Sequence, residues 1–275
     1  MSRILLLVMV ATASMQLAWS LENSPLLVRW FGPASNEMRE AYADDVGTAT
    51  ADHRDFDAIL RDHVRGGRVD YAGLAADEAQ LDRYLEQLAV LPFDDLSRDD
   101  KLAALINAYN AFTLKLILDH QPLASIKDIP ARDRWDAPRW NFAGRMVSLS
   151  ALEHEELRVN FIEPRVHFAI NCASVGCPPL RAEAYTGARI ETQLEEQTAQ
   201  MHQSDTWLQI AGDTVRLTPL YLWYADDFAQ VAGSARAFAA RYRPELADED
   251  VRIVWSDYDW SLNDAEDPGG VTEAF

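Results

Sequence analysis

The stretch HFAINCASVGCPPL, residues 167–180, holds a histidine, both cysteines of the chain and a double proline. A thiolate attacks a carbonyl when a nearby base or cation lowers its pKa and a third group orients that base. Two cysteines this close can instead close a small disulfide loop, and a buried cysteine can simply be an inert small hydrophobe. Read as a strand, the segment from Val166 to Cys172 alternates: Val166, Phe168, Ile170 and Cys172 face one way, His167, Ala169 and Asn171 the other. The first face is apolar, which sends Cys172 inward. Cys177, between Gly176 and Pro178, then falls in a loop at the strand's end, where a scaffold presents reactive groups. Cys177 is therefore the candidate nucleophile, with His167 or His154 as its base. Along a straight strand His167 lies about 17 Å from Cys172, so only a loop that folds back brings Cys177 to it. The spacing chooses neither histidine, and a Cys172–Cys177 disulfide stays open as the alternative.

Other side chains join this candidate site. A helix with an apolar circumference carries Asn107, Tyr109 and Asn110. Asparagine favours caps over helix interiors and a buried amide must find partners, so these residues either hold a neighbouring loop or line a pocket. Asn110 is the candidate orienting or oxyanion-binding group. Glu153, Arg158, Asn171 and Cys172 complete the pocket candidates, although Glu153 also has capping-box spacing from Ser150. Two cysteines and a histidine make a partial zinc set without an evident fourth ligand, so no metal and no cofactor are expected. Arg132, Arg134, Arg139 and Arg145 surround Trp135 and Trp140, and internal pairing is favoured over an anion cleft there. His53, His63, His120 and His202 have no evident local partners.

The elements that must position these groups are mainly helical. FDAILRDHV from Phe56 reads as a helix ended by Gly66 and Gly67, and RVDYAGL as a short strand or extended turn. DEAQLDRYLEQLAVL spaces Leu81, Tyr84, Leu85 and Leu88 at helical intervals. Ser97, with Asp100 three residues on, caps the strongest helix; it is apolar all round from Leu102 to Leu118 and belongs in the middle of the fold. WNF and RMVSL flank Ala143 and Gly144 as a hairpin, and a helix follows to about Arg158. ARIETQLEEQTAQMH is a helix, WLQIAGDTVRL a hairpin turning near Gly212, and LYLWYADDFAQVA a helix with Thr218 as its cap. SARAFAARYRP is a further helix and VRIVWSDYDWSLN a last strand. Helices outnumber strands and the strands cluster beside hairpins. The fold class is α+β, helix-rich, with a central buried helix and a small, mainly antiparallel sheet.

Residues 1–20 read as a cleavable signal peptide: Arg3, an apolar run from Ile4 to Val10, and a small-residue ending at Ala18 and Ser20. The expected organisation is then a flexible lead-in over 21–55, one domain over 56–263 and a disordered acidic tail over 264–275, in a periplasmic or secreted protein. Net charge is −19, and −20 once Arg3 leaves with the signal. Such a surface repels nucleic acid and anionic lipid, so the expected partner is a small molecule or peptide, with no membrane association after signal cleavage. Oligomeric state is not legible.

Several segments taken in order, GGRVDYAGL, INAYNAFTLKLIL, SIKDI, VSLSALEHEELR, RVHFAINCASVGCPPLR, EAYTG, YLWYADDF and YDWSLN, resemble the domain of unknown function 547 family over about residues 56–263. The resemblance implies an α+β domain of exported bacterial and of plant proteins, without an established activity. It carries a candidate site onto Asn107, Tyr109, Asn110, Glu153, His154, Arg158, His167, Cys172, Cys177, Pro178 and Pro179. By analogy, papain-like and transglutaminase-like hydrolases pair a nucleophile at the start of a central helix with a histidine on a later strand. Here asparagines stand where that thiol would sit. The function expected is a thiol-dependent hydrolase or acyltransferase acting on a small peptide or thiol-like substrate; the alternative is a non-catalytic extracytoplasmic binding or scaffold domain stapled by Cys172–Cys177.

Overall fold

Ser97 starts the longest helix among the described residues. Its Oγ accepts from the Asp100 N–H at 3.2 Å, and Asp99 and Asp100 place negative charge at the positive end of the helix dipole. The computed structural model describes Val28 and residues 32–265; the expected signal, the start of the lead-in and most of the expected tail lie outside them. Two compact units divide the chain, one of residues 1–36 and 204–258, the other of 37–203 and 259–275.

In the larger unit α1 (Arg54–His63) leads through a tight hairpin, β1 (Val64–Arg65) and β2 (Arg68–Val69), to α2 (Tyr71–Ala76) and α3 (Glu78–Ala89). The glycines Gly66 and Gly67 turn this hairpin rather than ending α1 directly. Helix α4 (Arg98–Leu118) follows, and its interior is buried on every face from Lys101 to Leu114. Each of its leucines and isoleucines removed from water contributes about 2 kcal/mol, so the apolar circumference read in the sequence drives this helix to the centre. Around α4 pack α3, a helical segment over 149–160 and α8 (Ile190–Gln203).

The hairpin of β3 (Trp140–Phe142) and β4 (Arg145–Val147) turns on Ala143 at φ 50° and Gly144 at φ 77°. Two successive left-handed residues match the right-handed strand twist, and that is what the Ala-Gly pair supplies. A short α5 (Ala131–Arg134) precedes it. After β4 the chain enters α6, the segment 149–160, with Ser148 as its cap: Ser148 Oγ accepts from the Ala151 N–H at 3.0 Å. Ser150 is therefore not the cap, and Glu153 is not its capping-box partner. The strand stops at Val147, so the turn into the helix comes two residues earlier than the Ser150–Glu153 spacing suggests.

Residues 166–172 are not a strand. Val166–Ala169 form a single helical turn, α7, and the chain becomes extended only at Ile170. The amides of His167 and Phe168 donate to the carbonyls of Pro164 and Arg165 at 3.2 and 3.0 Å, and Ile170 donates to Val166 at 3.0 Å. No neighbouring strand takes up this backbone, so its β-branched and aromatic composition loses to the local turn. The alternating faces drawn from a strand do not apply.

Residues 37–53 are held by hydrogen bonds within this unit, with Arg39 and Ala41 donating to Val159 and Asn160, and Thr48 and Ala49 to Asp95. At the other end Asp264 bridges Val69, and the Ala265 N–H donates to the Val69 carbonyl at 2.9 Å.

The smaller unit carries a three-stranded mixed sheet. β5 (Leu208–Ala211) and β6 (Thr214–Leu217) are antiparallel about Gly212, and β7 (Arg252–Trp255) runs parallel to β6. The single helix expected over 220–232 is two, α9 (Leu220–Trp223) and α10 (Ala225–Ala232), broken where Tyr224 leaves helical geometry at ψ 28°. With α11 (Ala235–Ala240) they enclose Tyr221, Phe228 and Phe238, whose rings lie 4.6 to 6.4 Å apart. The observed class is thus the helix-rich α+β arrangement with small sheets.

A candidate site: a disulfide-closed loop held by asparagines

Asn107 and Asn110, one turn apart on α4, both use the whole side-chain amide on backbone. Asn107 Nδ2 donates to the Tyr185 carbonyl at 2.8 Å and its Oδ1 accepts from the Tyr185 N–H at 2.9 Å. Asn110 Nδ2 donates to the Ala169 carbonyl at 3.0 Å, while its Oδ1 accepts from the Asn171 N–H at 2.8 Å. Each amide thus satisfies one donor and one acceptor of a buried segment that has no strand partner. Of the two roles read from sequence, these residues fill the loop-holding one.

Asn171 extends the network. Its Nδ2 donates to the Pro178 carbonyl at 2.8 Å, and its Oδ1 accepts from the Ala173 N–H at 2.8 Å and from Asn263 Nδ2 at 3.2 Å. Asn263 Oδ1 in turn accepts from the Tyr71 hydroxyl at 2.8 Å. Burial pushes the Tyr71 phenol well above its usual pKa, so it stays a donor. The loop between the cysteines pairs with the chain's late residues: Val175 and Gly176 donate to Ser261 and Asp259 at 2.9 and 2.8 Å, and Asn263 donates to Ala173 at 3.2 Å. Ala173 sits at φ 59°, the left-handed turn of this loop.

Cys172 and Cys177 form a disulfide. The Cys172 N–H points at Cys177 Sγ, 3.0 Å away, and Cys172 Sγ lies 3.1 Å from Ser174 Oγ. Burial is opposite to the strand-based expectation: Cys177 is 6 % exposed and Cys172 is half-buried. With a helical turn at 166–169, the side chain of Cys172 no longer follows Val166 and Phe168 into the core.

The remaining candidates are distributed on other elements. His167 is buried on α7 and Tyr109 is buried on α4. Glu153, His154 and Arg158 belong to α6, where Leu152–Leu157 winds as a π-helix; the extra residue per turn re-aims side chains relative to an α-helix. There Arg158 donates to His154 Nδ1 at 3.0 Å, and Glu153 Oε1 lies 3.8 Å from the same nitrogen. A hydrogen bond joins Asn110 to the backbone of Asn171, and another joins Arg158 to His154.

Sequence reasoning passed over Asn263, Tyr71, Gly67 and Gln197 as site residues. Gln197 Nε2 donates to the Pro179 carbonyl at 2.5 Å. Gly67, at φ 84°, lets Pro179 approach so closely that a Cβ there would lie 2.3 Å from the Pro179 Cβ. The signal was present, because Gly67, Tyr71 and Asn263 lie in the quoted segments GGRVDYAGL and YDWSLN. The histidines read as lacking partners have them: Nδ1 of His53 lies 2.8 Å from the Tyr84 hydroxyl, His63 Nε2 3.0 Å from Asp77, and Nδ1 of His120 and His202 2.9 and 2.7 Å from the Leu116 and Thr198 carbonyls. The arginines around Trp135 and Trp140 bond internally, Arg134 to the Lys127 and Ile129 carbonyls, Arg139 to that of Asp133 and Arg145 to Glu156. Among the described residues no group of three or more His, Cys, Asp and Glu side chains is arranged to hold a metal ion, and no helix is long and apolar enough to cross a membrane.

Fold and site together define a helix-rich α+β domain built around a central helix that grips a disulfide-closed loop. Residues 93–201 match the family model described as Protein of unknown function, DUF547, the family that the motifs resemble. That stretch runs from just ahead of α4 to near the end of α8 and contains both asparagines and both cysteines. No curated protein and no solved structure matches the chain.

Proposed function

We propose that this chain works as an exported, non-catalytic binding or scaffold domain in which the Cys172–Cys177 disulfide closes the 172–177 loop. One observation carries the reading. The sulfur that a thiol hydrolase would need, Cys177 Sγ, is bonded to Cys172, and the amide it would turn toward an oxyanion, that of Asn110, is engaged at both atoms by backbone. Export is supported by the character of residues 1–20 and by the disulfide, since such bonds persist in oxidising compartments. The acidic surface favours a small-molecule or peptide ligand over nucleic acid or anionic lipid.

The test is iodoacetamide labelling of the purified mature protein across pH 4 to 9, read by mass spectrometry before and after reductant. Under this reading both cysteines stay unlabelled until reductant is added. Alkylation of Cys177 without reductant, well below the ordinary thiol pKa of about 8.5 and lost in His167→Ala or His154→Ala, would replace it with the thiol-hydrolase reading.

A further inference from the structure

The two sulfurs of the disulfide are not equivalent, and their difference has a chemical consequence. A thiolate attacks a disulfide sulfur along the S–S axis, so access decides which sulfur is struck and environment decides which leaves. Cys172 is half-buried, whereas Cys177 is buried. Cys177 Sγ has a backbone N–H, that of Cys172, directed at it from 3.0 Å, and such a donor stabilises sulfur more as thiolate than as disulfide. Ser174 Oγ, 3.1 Å from Cys172 Sγ, stands ready to donate to the second thiolate once it is released.

The loop does not depend on the disulfide for its shape. Asn171 holds Ala173 and Pro178 from inside, and Ala173, Val175 and Gly176 are bonded to Asn263, Ser261 and Asp259 from outside. None of these bonds involves a sulfur. The covalent link can therefore open and close while the segment stays in place.

We propose that Cys172–Cys177 is a thiol–disulfide exchange site that accepts an external thiolate, from a low-molecular-weight thiol or a cysteine-containing peptide, at Cys172. The attacking sulfur bonds to Cys172 Sγ, the S–S bond breaks, and its electron pair leaves on Cys177 Sγ as thiolate. A second external thiolate attacks the incoming sulfur, forms the external disulfide and releases Cys172 as thiolate. The two protons of the external thiols end on the two cysteines, so the protein disulfide is reduced as two thiols are oxidised to one disulfide. The proposal rests on the oxidised loop of the preceding reading.

The experiment starts from purified mature protein whose thiols have been counted by alkylation, which tests that preceding reading separately. Reduced glutathione is added, the reaction is quenched with iodoacetamide, and the modified residues are located by peptide mass spectrometry while far-ultraviolet circular dichroism follows the fold. The expected intermediate carries glutathione on Cys172 and the alkyl group on Cys177, with an unchanged spectrum, and oxidised glutathione restores the disulfide. Glutathione on Cys177, or reaction only after guanidinium unfolds the protein, overturns the proposal even when the thiol count has found the disulfide. As a second arm, the Cys177→Ala variant should take glutathione from oxidised glutathione at Cys172, while the Cys172→Ala variant should leave buried Cys177 unmodified. Equal modification of the two variants also overturns it.

Discussion

Asn110 and Asn171 are joined side chain to backbone: Asn110 Oδ1 accepts the Asn171 N–H at 2.8 Å, and the same amide donates to the carbonyl two residues earlier, at Ala169. A single side chain in the middle of a buried helix thus fixes where the 170–178 segment begins. The Asn171 side chain then fixes where it ends, through Pro178.

Removing that grip leaves a buried N–H and a buried C=O without partners. At about 1–3 kcal/mol for each orphaned group, Asn110→Ala should lower unfolding free energy by about 2–6 kcal/mol. Denaturant unfolding checks this through the midpoint at unchanged slope. A loss under 1 kcal/mol would mean that water or a rearranged loop replaces both bonds.

Gly67 and Gly66 form a matched pair for a second test. Both lie in the left-handed region, at φ 84° and 59°, but a Cβ on Gly66 meets nothing within 4 Å whereas one on Gly67 meets Pro179. Gly66→Ala should cost about 1–2 kcal/mol from backbone strain alone. Gly67→Ala should cost a further 1–3 kcal/mol or so from overpacking. Equal thermal shifts in the two variants would show that Pro179 yields freely.

The central helix was legible because its apolar circumference and its Ser97 cap are local signals, and so was the Ala143–Gly144 hairpin. The need of the helix asparagines for partners was legible, but the partners were not. Composition marks Asn107 and Asn110 as buried polar groups that need partners, yet nothing local says that the partners are the backbone of residues 169, 171 and 185. The segment 166–172 was misread for the same reason. Its pattern fits a strand, but a strand needs a neighbour to pair with, and that information lies in the tertiary fold, where Asn110 takes the neighbour's place. The break at Tyr224 is likewise invisible to helical periodicity, because apolar spacing continues across it.

His53 supplies a pH dependence. It is buried against Tyr84, and burial pushes its pKa down to about 4, against the opposing attraction of Asp100 and Asp52. The unfolded chain takes up this proton near pH 6.5 and the folded chain only near pH 4, so the unfolded state binds more protons between those values and stability falls as pH drops through the window. The full effect of one such group is about 3 kcal/mol, complete near pH 4. Urea unfolding of the parent and of His53→Gln across pH 4 to 7 isolates it, because the variant should lose this slope. Parallel curves for the two proteins would assign the pH dependence elsewhere.

The disulfide should matter less to stability than its place in the site suggests. Its loop spans only residues 172–177, and the entropy that so short a closure removes from the unfolded chain amounts to about 2 kcal/mol. The bonds from Asn171, Asp259, Ser261 and Asn263 hold the folded loop independently of it. Reduced protein, and the Cys172→Ala/Cys177→Ala double variant, should therefore unfold cooperatively with a loss of about 2 kcal/mol and with native circular dichroism below the transition. Combining that double variant with Asn110→Ala gives the sharper comparison. If the asparagine grip and the disulfide act on the same loop, the triple variant should lose more than the sum of the two separate losses, since each constraint limits the damage done by removing the other. Strict additivity would place the Asn110 contribution in α4 packing and not in the loop.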